Sequence, residues 1–176
     1  MKWFDAAAIP GVIIGGVAAS VLGRPRLTRD IDALVMIPDA DWPAVMSLAA
    51  NFGIVARDLP ASEPASRSPL LRLRHAPSDI DIDLALGGLS FEIQVLRLCQ
   101  IQEVGGLRLR LPRVEDLLVM KAFAHRPKDL EDIDGLLTVH PGVDLEFVRQ
   151  WLGEFSIAVN TPALLDDFEK VVARRR

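Results

Sequence analysis

Short β-branched stretches and small-residue helices alternate in the first part of the chain. Residues 11–14 are a β-branched run typical of a buried strand, and residues 16–22 predict a helix of small residues that ends at a glycine. Residues 31–37, where alternating aspartates give way to continuous apolar positions, predict a second strand. Asp39 is then expected to cap a helix over residues 41–51.

Two further segments alternate strictly between apolar and charged positions. Residues 70–74 alternate leucine with arginine, and residues 80–86 alternate isoleucine or leucine with aspartate or alanine. This period of two is typical of half-exposed strands, and the short polar stretch between them predicts an antiparallel pair. Residues 57–69 are rich in proline, serine, alanine and glutamate without a period, which indicates a mobile surface loop.

The second part of the chain is dominated by helical periodicity. A helix over residues 91–101 and a hairpin around Gly105-Gly106 complete the first part, and later residues predict helices 114–125, 127–137, 145–155 and 162–173. We therefore predict an α+β fold with a small mixed β-sheet and flanking helices. Its expected domains are a core over residues 1–111 and a helical C-terminal region over residues 112–176.

Composition narrows the class of protein. The 176 residues include one cysteine, Cys99, so packing rather than disulfide bonds must hold the fold. A net charge of −4 argues against a general nucleic-acid coat protein, which needs a basic surface. The apolar residues 6–23 resemble a secretory signal, but Pro10 and Gly11 interrupt them. We expect a cytoplasmic protein without a membrane partner.

The candidate chemistry begins with two pairs of aspartates. Asp30 and Asp32 are two positions apart on a predicted strand and therefore project from the same face, and Asp81 and Asp83 repeat this spacing. Mg²⁺ prefers oxygen ligands and keeps open positions for substrate phosphates. Three of these carboxylates brought together would suit two metal ions that promote phosphoryl transfer.

The Gly15-Gly16 pair lies between the first predicted strand and the first predicted helix. Backbone N–H groups at such a turn can bind phosphate oxygens, because no side chain blocks close approach. Taken alone, a glycine pair is usually a tight turn and an Asp-x-Asp strand is usually a solvated edge. Their order and spacing here favour a nucleotide site.

The segment IIGGVAASVLGRPRLTRDIDALV, residues 13–35, resembles the signature of minimal nucleotidyltransferases of the DNA polymerase β superfamily, especially the AbiEii/AbiGii toxin-like branch. The resemblance implies that Asp30 and Asp32 are catalytic metal ligands and that Asp83, within Ile-Asp-Leu, is the third. Asp81 is the alternative third ligand. The resemblance also implies that Gly15, Gly16 and Thr28 bind the nucleotide.

The second segment, LPRVEDLLVMKAFAHRPKDLEDIDGLL over residues 111–137, is similar to the helical motif of the same branch. Its matching positions are Lys121, Arg126, Lys128, Asp129 and Asp132. The resemblance implies that Lys121 reaches the triphosphate and that Asp129 or Asp132 orients it. The alternative is that these residues form ion pairs on the helix surface.

The resemblance implies transfer of a nucleoside monophosphate from an NTP to a hydroxyl, with two Mg²⁺ ions, or Mn²⁺, as cofactors. A toxin-like enzyme would modify an RNA, most plausibly a tRNA 3′ end, and would have a cognate antitoxin protein as partner. Five arginines could neutralise RNA phosphates, namely Arg72, Arg74, Arg108, Arg110 and Arg113. The alternatives are an aminoglycoside-type nucleotidyltransferase and a non-catalytic, antitoxin-like binding module of the same fold.

Overall fold

The computed structural model describes residues 1–38, 41–57 and 70–174. The predicted cap Asp39 and nearly all of the predicted loop over residues 57–69 lie outside the described residues. The helices are α1 (Lys2–Ala6), α2 (Gly15–Leu22), α3 (Trp42–Ala50), α4 (Ser90–Leu98), α5 (Val114–Ala124), α6 (Pro127–Val139), α7 (Leu145–Ala158) and α8 (Ala163–Ala173). The strands are β1 (Gly11–Ile13), β2 (Asp30–Val35), β3 (Ile54–Ala56), β4 (Leu70–His75), β5 (Ile80–Leu86), β6 (Gln100–Val104) and β7 (Leu107–Leu111).

The chain forms two compact units. The first contains residues 1–17 and 27–111, and the second contains residues 18–26 and 112–176. This division differs from the predicted boundary for residues 18–26, which belong with the C-terminal helices. Contacts within the second unit explain the difference, because the His140 ring bonds to the Leu22 carbonyl at 2.6 Å and Arg26 bonds to Asp132 at 2.7 Å.

The predicted α+β class with a mixed sheet is confirmed. Five strands lie in the order β1-β2-β5-β4-β3, with β2 parallel to β5 and the other neighbours antiparallel. The predicted antiparallel pairing of residues 70–74 with 80–86 is present as β4 and β5. The predicted hairpin at Gly105-Gly106 is present as β6 and β7, which form a separate two-stranded sheet.

One face of the main sheet packs into the core. Leu71, Leu73, Ile82 and Leu84 alternate on β4 and β5 and are all at most 8% exposed. Since successive side chains on a strand point to opposite faces, the charged residues between them lie on the other face. A one-residue slip would bury those charges, so the leucine and isoleucine positions fix the register.

Three local expectations were wrong or incomplete. Helix α4 ends at Leu98 rather than at residue 101, because Cys99 is extended and the next residues pair within the β6–β7 hairpin. Helix α1 was not predicted; it buries Trp3, whose indole N–H donates to the Val45 carbonyl at 3.3 Å. Strand β3 was not predicted either, since three residues are too few to show a period.

Within the described parts of the chain, no helix is both long enough and apolar enough to cross a membrane.

A buried ion cluster lies inside the second unit. Lys121 Nζ lies 2.9 Å from an Asp129 oxygen and 2.7 Å from an Asp132 oxygen, and the Lys121 side chain is only 3% exposed. Arg126 bonds to Asp129 at 2.6 Å, and Arg26 bonds to Asp132 through two nitrogens at 2.7 and 3.0 Å. Buried charges require such pairing, because an isolated one would carry a large desolvation cost.

The two aspartates of this cluster are held ionised. Burial by itself would raise the pKa of each carboxyl group, but hydrogen bonds from Arg126 and Lys121 to Asp129 bring its pKa below the ordinary value. Hydrogen bonds from Arg26 and Lys121 do the same for Asp132. A carboxyl group with a depressed pKa stabilises the fold at pH values above its pKa in the unfolded chain. This stabilisation is lost as the pH falls through the pKa of the folded state.

We therefore expect Lys121→Met to lower the free energy of unfolding by about 3–5 kcal/mol at pH 7, because two buried carboxylates lose a shared partner. Urea denaturation at pH 7 measures this, and the deficit should shrink below about pH 4 as the carboxylates protonate. Lys128→Met, at an exposed position of the same helical region, is the matched control. Equal midpoints for the two variants would contradict the assignment of the cluster as a stabilising element.

Candidate active site

Four aspartates lie on the charged face of the main sheet. In the parallel pairing of β2 with β5, Asp30 is opposite Asp81 and Asp32 is opposite Asp83. Residues opposite each other on hydrogen-bonded strands are about 5 Å apart, so the carboxylates form two short rows across the sheet. The structure thus brings the three predicted metal ligands, Asp30, Asp32 and Asp83, onto one surface of the first unit.

The Gly15-Gly16 turn lies directly beside Asp32. The Ile14 N–H donates to the Asp32 carbonyl at 2.9 Å, which continues the β1 edge to the turn. Gly15 has a φ of +62°, and a Cβ built on it would lie 1.9 Å from Asp32 Oδ2. The Gly16 N–H points to the same oxygen at 3.4 Å, a long contact. The left-handed backbone favours glycine, and the lack of a Cβ is what permits this approach to the carboxylate.

Thr28 holds the other aspartate of β2. Its hydroxyl donates to Asp30 Oδ1 at 2.6 Å, a short bond typical of an O–H donor and a carboxylate. This bond restricts the Asp30 carboxylate at the beginning of the strand. The predicted nucleotide-binding residue Thr28 is therefore placed as a support for a predicted metal ligand.

Asp83 lies in an electrostatically unfavourable position. Its Oδ1 is buried and makes no hydrogen bond with any of the described residues. Burial raises the pKa of this carboxyl group, and the neighbouring charges of Asp32 and, more weakly, Asp30 raise it further against the opposing effect of Arg72 and Arg57. The charged face around Asp83 consequently has less positive charge than is needed to balance its carboxylates.

Asp81, the alternative third ligand, is already neutralised. Its two oxygens accept from Arg57 at 2.7 Å and from Arg74 at 2.8 Å. These pairs involve both carboxylate oxygens, whereas Asp83 retains an oxygen without a hydrogen bond among the described residues. The geometry favours Asp83 over Asp81 as a ligand for a cation.

The three carboxylates suit a divalent cation in their chemistry. They supply only oxygen donors, they repel one another, and one of them has an unsatisfied buried oxygen. No group of three histidine, cysteine, aspartate or glutamate side chains within residues 1–38, 41–57 and 70–174 is already arranged to enclose a metal ion.

Lys121 and Asp129, the remaining predicted nucleotide-binding residues, belong to the second unit. Both are buried in the ion cluster described above, with their charges directed at each other. The carboxylates of Asp129 and Asp132 both bind the Lys121 ammonium group. Contact between Lys121 and a triphosphate stays a prediction.

The five arginines suggested for RNA contact have different environments. Arg74 is paired with Asp79 and Asp81, Arg110 with Asp5, and Arg113 with Asp116. Arg72 lies opposite Asp83 on the charged face of the sheet, and Arg108 is exposed on β7.

Arg57 and Asp79 also belong to the charged face and were missed by the sequence analysis. The sequence signal for a charged face was the alternation of leucine with arginine over residues 70–74, which matches the alternating aspartates of residues 80–86. Arg57, beyond the short strand β3, had no comparable signal.

Comparison with known proteins gives information about the fold. No protein-family profile and no characterised protein sequence matches the chain. The solution structure of the antibiotic-resistance factor ANT(2″)-Ia superposes with a TM-score of 0.60 at 14% identity, covering 90% of this chain and 88% of that one.

Two other solved structures are similar. An antigenic nucleotidyltransferase-like protein from Paracoccidioides brasiliensis has a TM-score of 0.53 at 16% identity, with 96% of this chain and 88% of that chain covered. The lincosamide antibiotic adenylyltransferase LnuA, bound to lincomycin, has a TM-score of 0.52 at 15% identity, with 78% and 92% covered. The chain therefore has the fold of these nucleotidyltransferases.

Proposed function

We propose that the protein is a nucleotidyltransferase of the polymerase β superfamily, closest to the AbiEii/AbiGii toxin-like branch, that transfers a nucleoside monophosphate from an NTP to a hydroxyl group. The main support is the placement of Asp30, Asp32 and Asp83 on one sheet face beside the Gly15-Gly16 turn. In addition, Asp83 Oδ1 is buried without a hydrogen bond to any described residue. The fold similarity to adenylyltransferases agrees with this proposal.

In the proposed reaction, the oxygen of the acceptor hydroxyl forms a bond to the α-phosphorus. The bond from the α-phosphorus to the bridging oxygen breaks, and pyrophosphate leaves with that electron pair. Asp83, which shares the charged face with the two aspartates of β2, is proposed to take the hydroxyl proton. Two Mg²⁺ ions, or Mn²⁺, held by Asp30, Asp32 and Asp83 would neutralise the charge that develops on the phosphates.

Two further parts of the first unit prepare the site. The turn at Gly15-Gly16 opens helix α2, so its backbone N–H groups and the positive end of the helix dipole favour phosphate oxygens. Thr28 keeps the Asp30 carboxylate oriented through the 2.6 Å hydrogen bond. Both arrangements exist before substrate binds, which reduces the reorganisation that the reaction needs.

Lys121 and Asp129 are proposed to assist nucleotide binding. Because both carboxylates near Lys121 already bind its ammonium group, direct contact with a triphosphate requires one ion pair to open. The simpler role is indirect: Lys121 and Asp129 would hold neighbouring residues in position without contacting the nucleotide. A lower ATP affinity of folded Lys121→Met, measured by calorimetry against Lys128→Met, distinguishes a nucleotide role from stabilisation alone.

Two classes of acceptor have support. The resemblance of residues 13–35 and 111–137 to the toxin-like branch favours an RNA 3′ end, and with it a toxin-like role and an antitoxin partner. The fold comparisons favour a small molecule, since one similar structure is ANT(2″)-Ia with adenylyl-2″-tobramycin, at a TM-score of 0.58 and 16% identity, and another is LnuA with lincomycin.

The function is tested by incubating the purified protein with Mg²⁺, each α-labelled NTP, and RNA, cell lysate, tobramycin or lincomycin in turn. We expect transfer to at least one acceptor. The transfer rate should fall at least about 10³-fold in Asp30→Asn, Asp32→Asn and Asp83→Asn, because several kcal/mol of charge stabilisation disappear. Glu103→Gln, at an exposed position on β6, should retain activity. No transfer by the wild-type protein to any acceptor would favour the non-catalytic binding module.

The metal site predicts a stability effect that does not depend on activity. A carboxyl group whose pKa is raised by folding destabilises the fold once the pH exceeds its pKa in the unfolded chain. Because the Asp83 pKa is raised, Asp83→Asn should melt a few degrees higher than wild type at pH 7 in EDTA. Below about pH 4 the difference should vanish. Mg²⁺ should raise the melting temperature of the wild type and of Glu103→Gln but not of Asp83→Asn. A fall in the metal-free melting temperature of Asp83→Asn would show a structural aspartate.

Gly15→Ala tests the turn. The left-handed backbone alone should cost about 1–2 kcal/mol of unfolding free energy, and the new methyl group must displace the Asp32 carboxylate. We expect a lower urea midpoint together with loss of transfer. Gly88→Ala, where an added Cβ meets nothing within 4 Å, should behave as wild type in both measurements. An active and stable Gly15→Ala would contradict the proposed role of the turn.

A further inference from the structure

The β6–β7 hairpin has a strand edge that no other strand covers. Strand β6 pairs with β7 on one side, and no further strand among the described residues pairs with it. The hairpin lies wholly within the first unit. Four of the five β6 residues are exposed, and Ile101 is 56% exposed. The outer edge of β6 is therefore open in a single copy of the chain.

The turn of the hairpin determines which backbone groups face this edge. Val104 and Leu107 flank a turn of two glycines, whose φ angles are 56° and 77°. Such a turn closes with a hydrogen bond between its first and fourth residues, so Val104 and Leu107 form a hydrogen-bonded pair. Hydrogen-bonded and non-hydrogen-bonded pairs alternate along an antiparallel ladder. The N–H and C=O groups of Ile101 and Glu103 consequently point away from β7, towards the open edge.

The edge of β6 lacks the features that usually prevent strand addition. Natural edge strands are blunted by lysine, proline or a bulge. The β6 sequence Gln-Ile-Gln-Glu-Val contains neither lysine nor proline, and its register with β7 is continuous. Among the described residues, no backbone hydrogen bond outside the ladder involves Ile101 or Glu103. These outward groups can therefore accept another strand.

The strand is complementary to a second copy of itself. An antiparallel pairing of two β6 strands with a two-fold axis at Gln102 overlaps all five residues of each strand. Ile101 then exchanges backbone hydrogen bonds with the partner's Glu103, and Glu103 does so with the partner's Ile101. The residues whose backbone groups face the open edge are thus the residues that this register joins.

The side chains favour the same register. On one face the two Gln102 side chains lie directly opposite in a non-hydrogen-bonded pair, where their amides can donate to and accept from each other. On the other face the two exposed Ile101 side chains are diagonal neighbours across the axis. An axis at Glu103 would instead place like charges opposite each other. An axis at Ile101 would bring Val104 opposite Leu98, which is helical.

We propose that two copies of this chain associate through β6, so that their hairpins form one continuous antiparallel sheet in the order β7-β6-β6-β7. The interface is two-fold symmetric and closed, because each copy contributes the same edge. Association satisfies the outward backbone groups and covers Ile101. The inference is independent of the proposed nucleotidyl transfer, since it concerns a different surface of the first unit.

Sedimentation velocity of the purified full chain, from about 1 to 100 μM, measures the association, and we expect a dimer within this range. Gln102→Lys places two positive charges opposite each other at the axis and should raise the dimer Kd at least about tenfold. Gln100→Lys adds the same charge on the same face, but opposite the partner's Val104, and should change the Kd less than about twofold. Glu103→Pro removes an outward N–H without breaking the β6–β7 ladder and should also weaken the dimer, with an unchanged circular dichroism spectrum.

Cysteine cross-linking tests the register. In a Cys99→Ser background, Gln102→Cys should form a disulfide-linked dimer on mild oxidation, because directly opposite residues of a non-hydrogen-bonded pair lie within disulfide distance. Gln100→Cys should not, since its two copies would lie about 14 Å apart. A wild-type monomer at every concentration, equal cross-linking of the two variants, or a dimer that Gln102→Lys and Glu103→Pro leave intact would overturn the inference.

Discussion

The register of strands β2, β5 and β4 is the constraint on which the candidate site depends. Apolar side chains, mostly leucine and isoleucine, are buried on one face of these strands. Because successive side chains alternate between the two faces, the intervening charged residues lie on the opposite face. The apolar core therefore positions carboxylates that it does not touch. The chemistry of the site is a consequence of packing on the other side of the sheet.

The charged face is divided into two electrostatic regions. Around Asp30, Asp32 and Asp83 negative charge exceeds positive charge, and Asp83 has a raised pKa and an unsatisfied oxygen. Around Asp81 the negative charge is compensated by Arg57 and Arg74. A region short of positive charge can accept metal ions, whereas one whose carboxylates are already paired with arginine cannot do so as readily.

In the second unit the buried charges are paired with one another. Lys121, Asp129 and Asp132 are buried, and each charge has an internal partner completed by Arg26 or Arg126. Hydrogen bonds from these cations keep the aspartate pKa values low despite burial. Such a cluster stabilises one arrangement of helices and leaves little unpaired charge for ligands, in contrast with the carboxylates of the first unit.

The sequence by itself determined the α+β class, the alternating strands, the major C-terminal helices and the aspartate spacing, because periods of two and 3.6 are local properties of the chain. It could not reveal α1 or β3, which are too short for a period, nor the end of helix α4 at Leu98, which the hairpin decides. Only the tertiary structure decided which aspartate is neutralised. Asp81 and Asp83 have nearly identical sequence surroundings. They differ because Arg74 on β4 and Arg57 just beyond β3 both bind the Asp81 carboxylate.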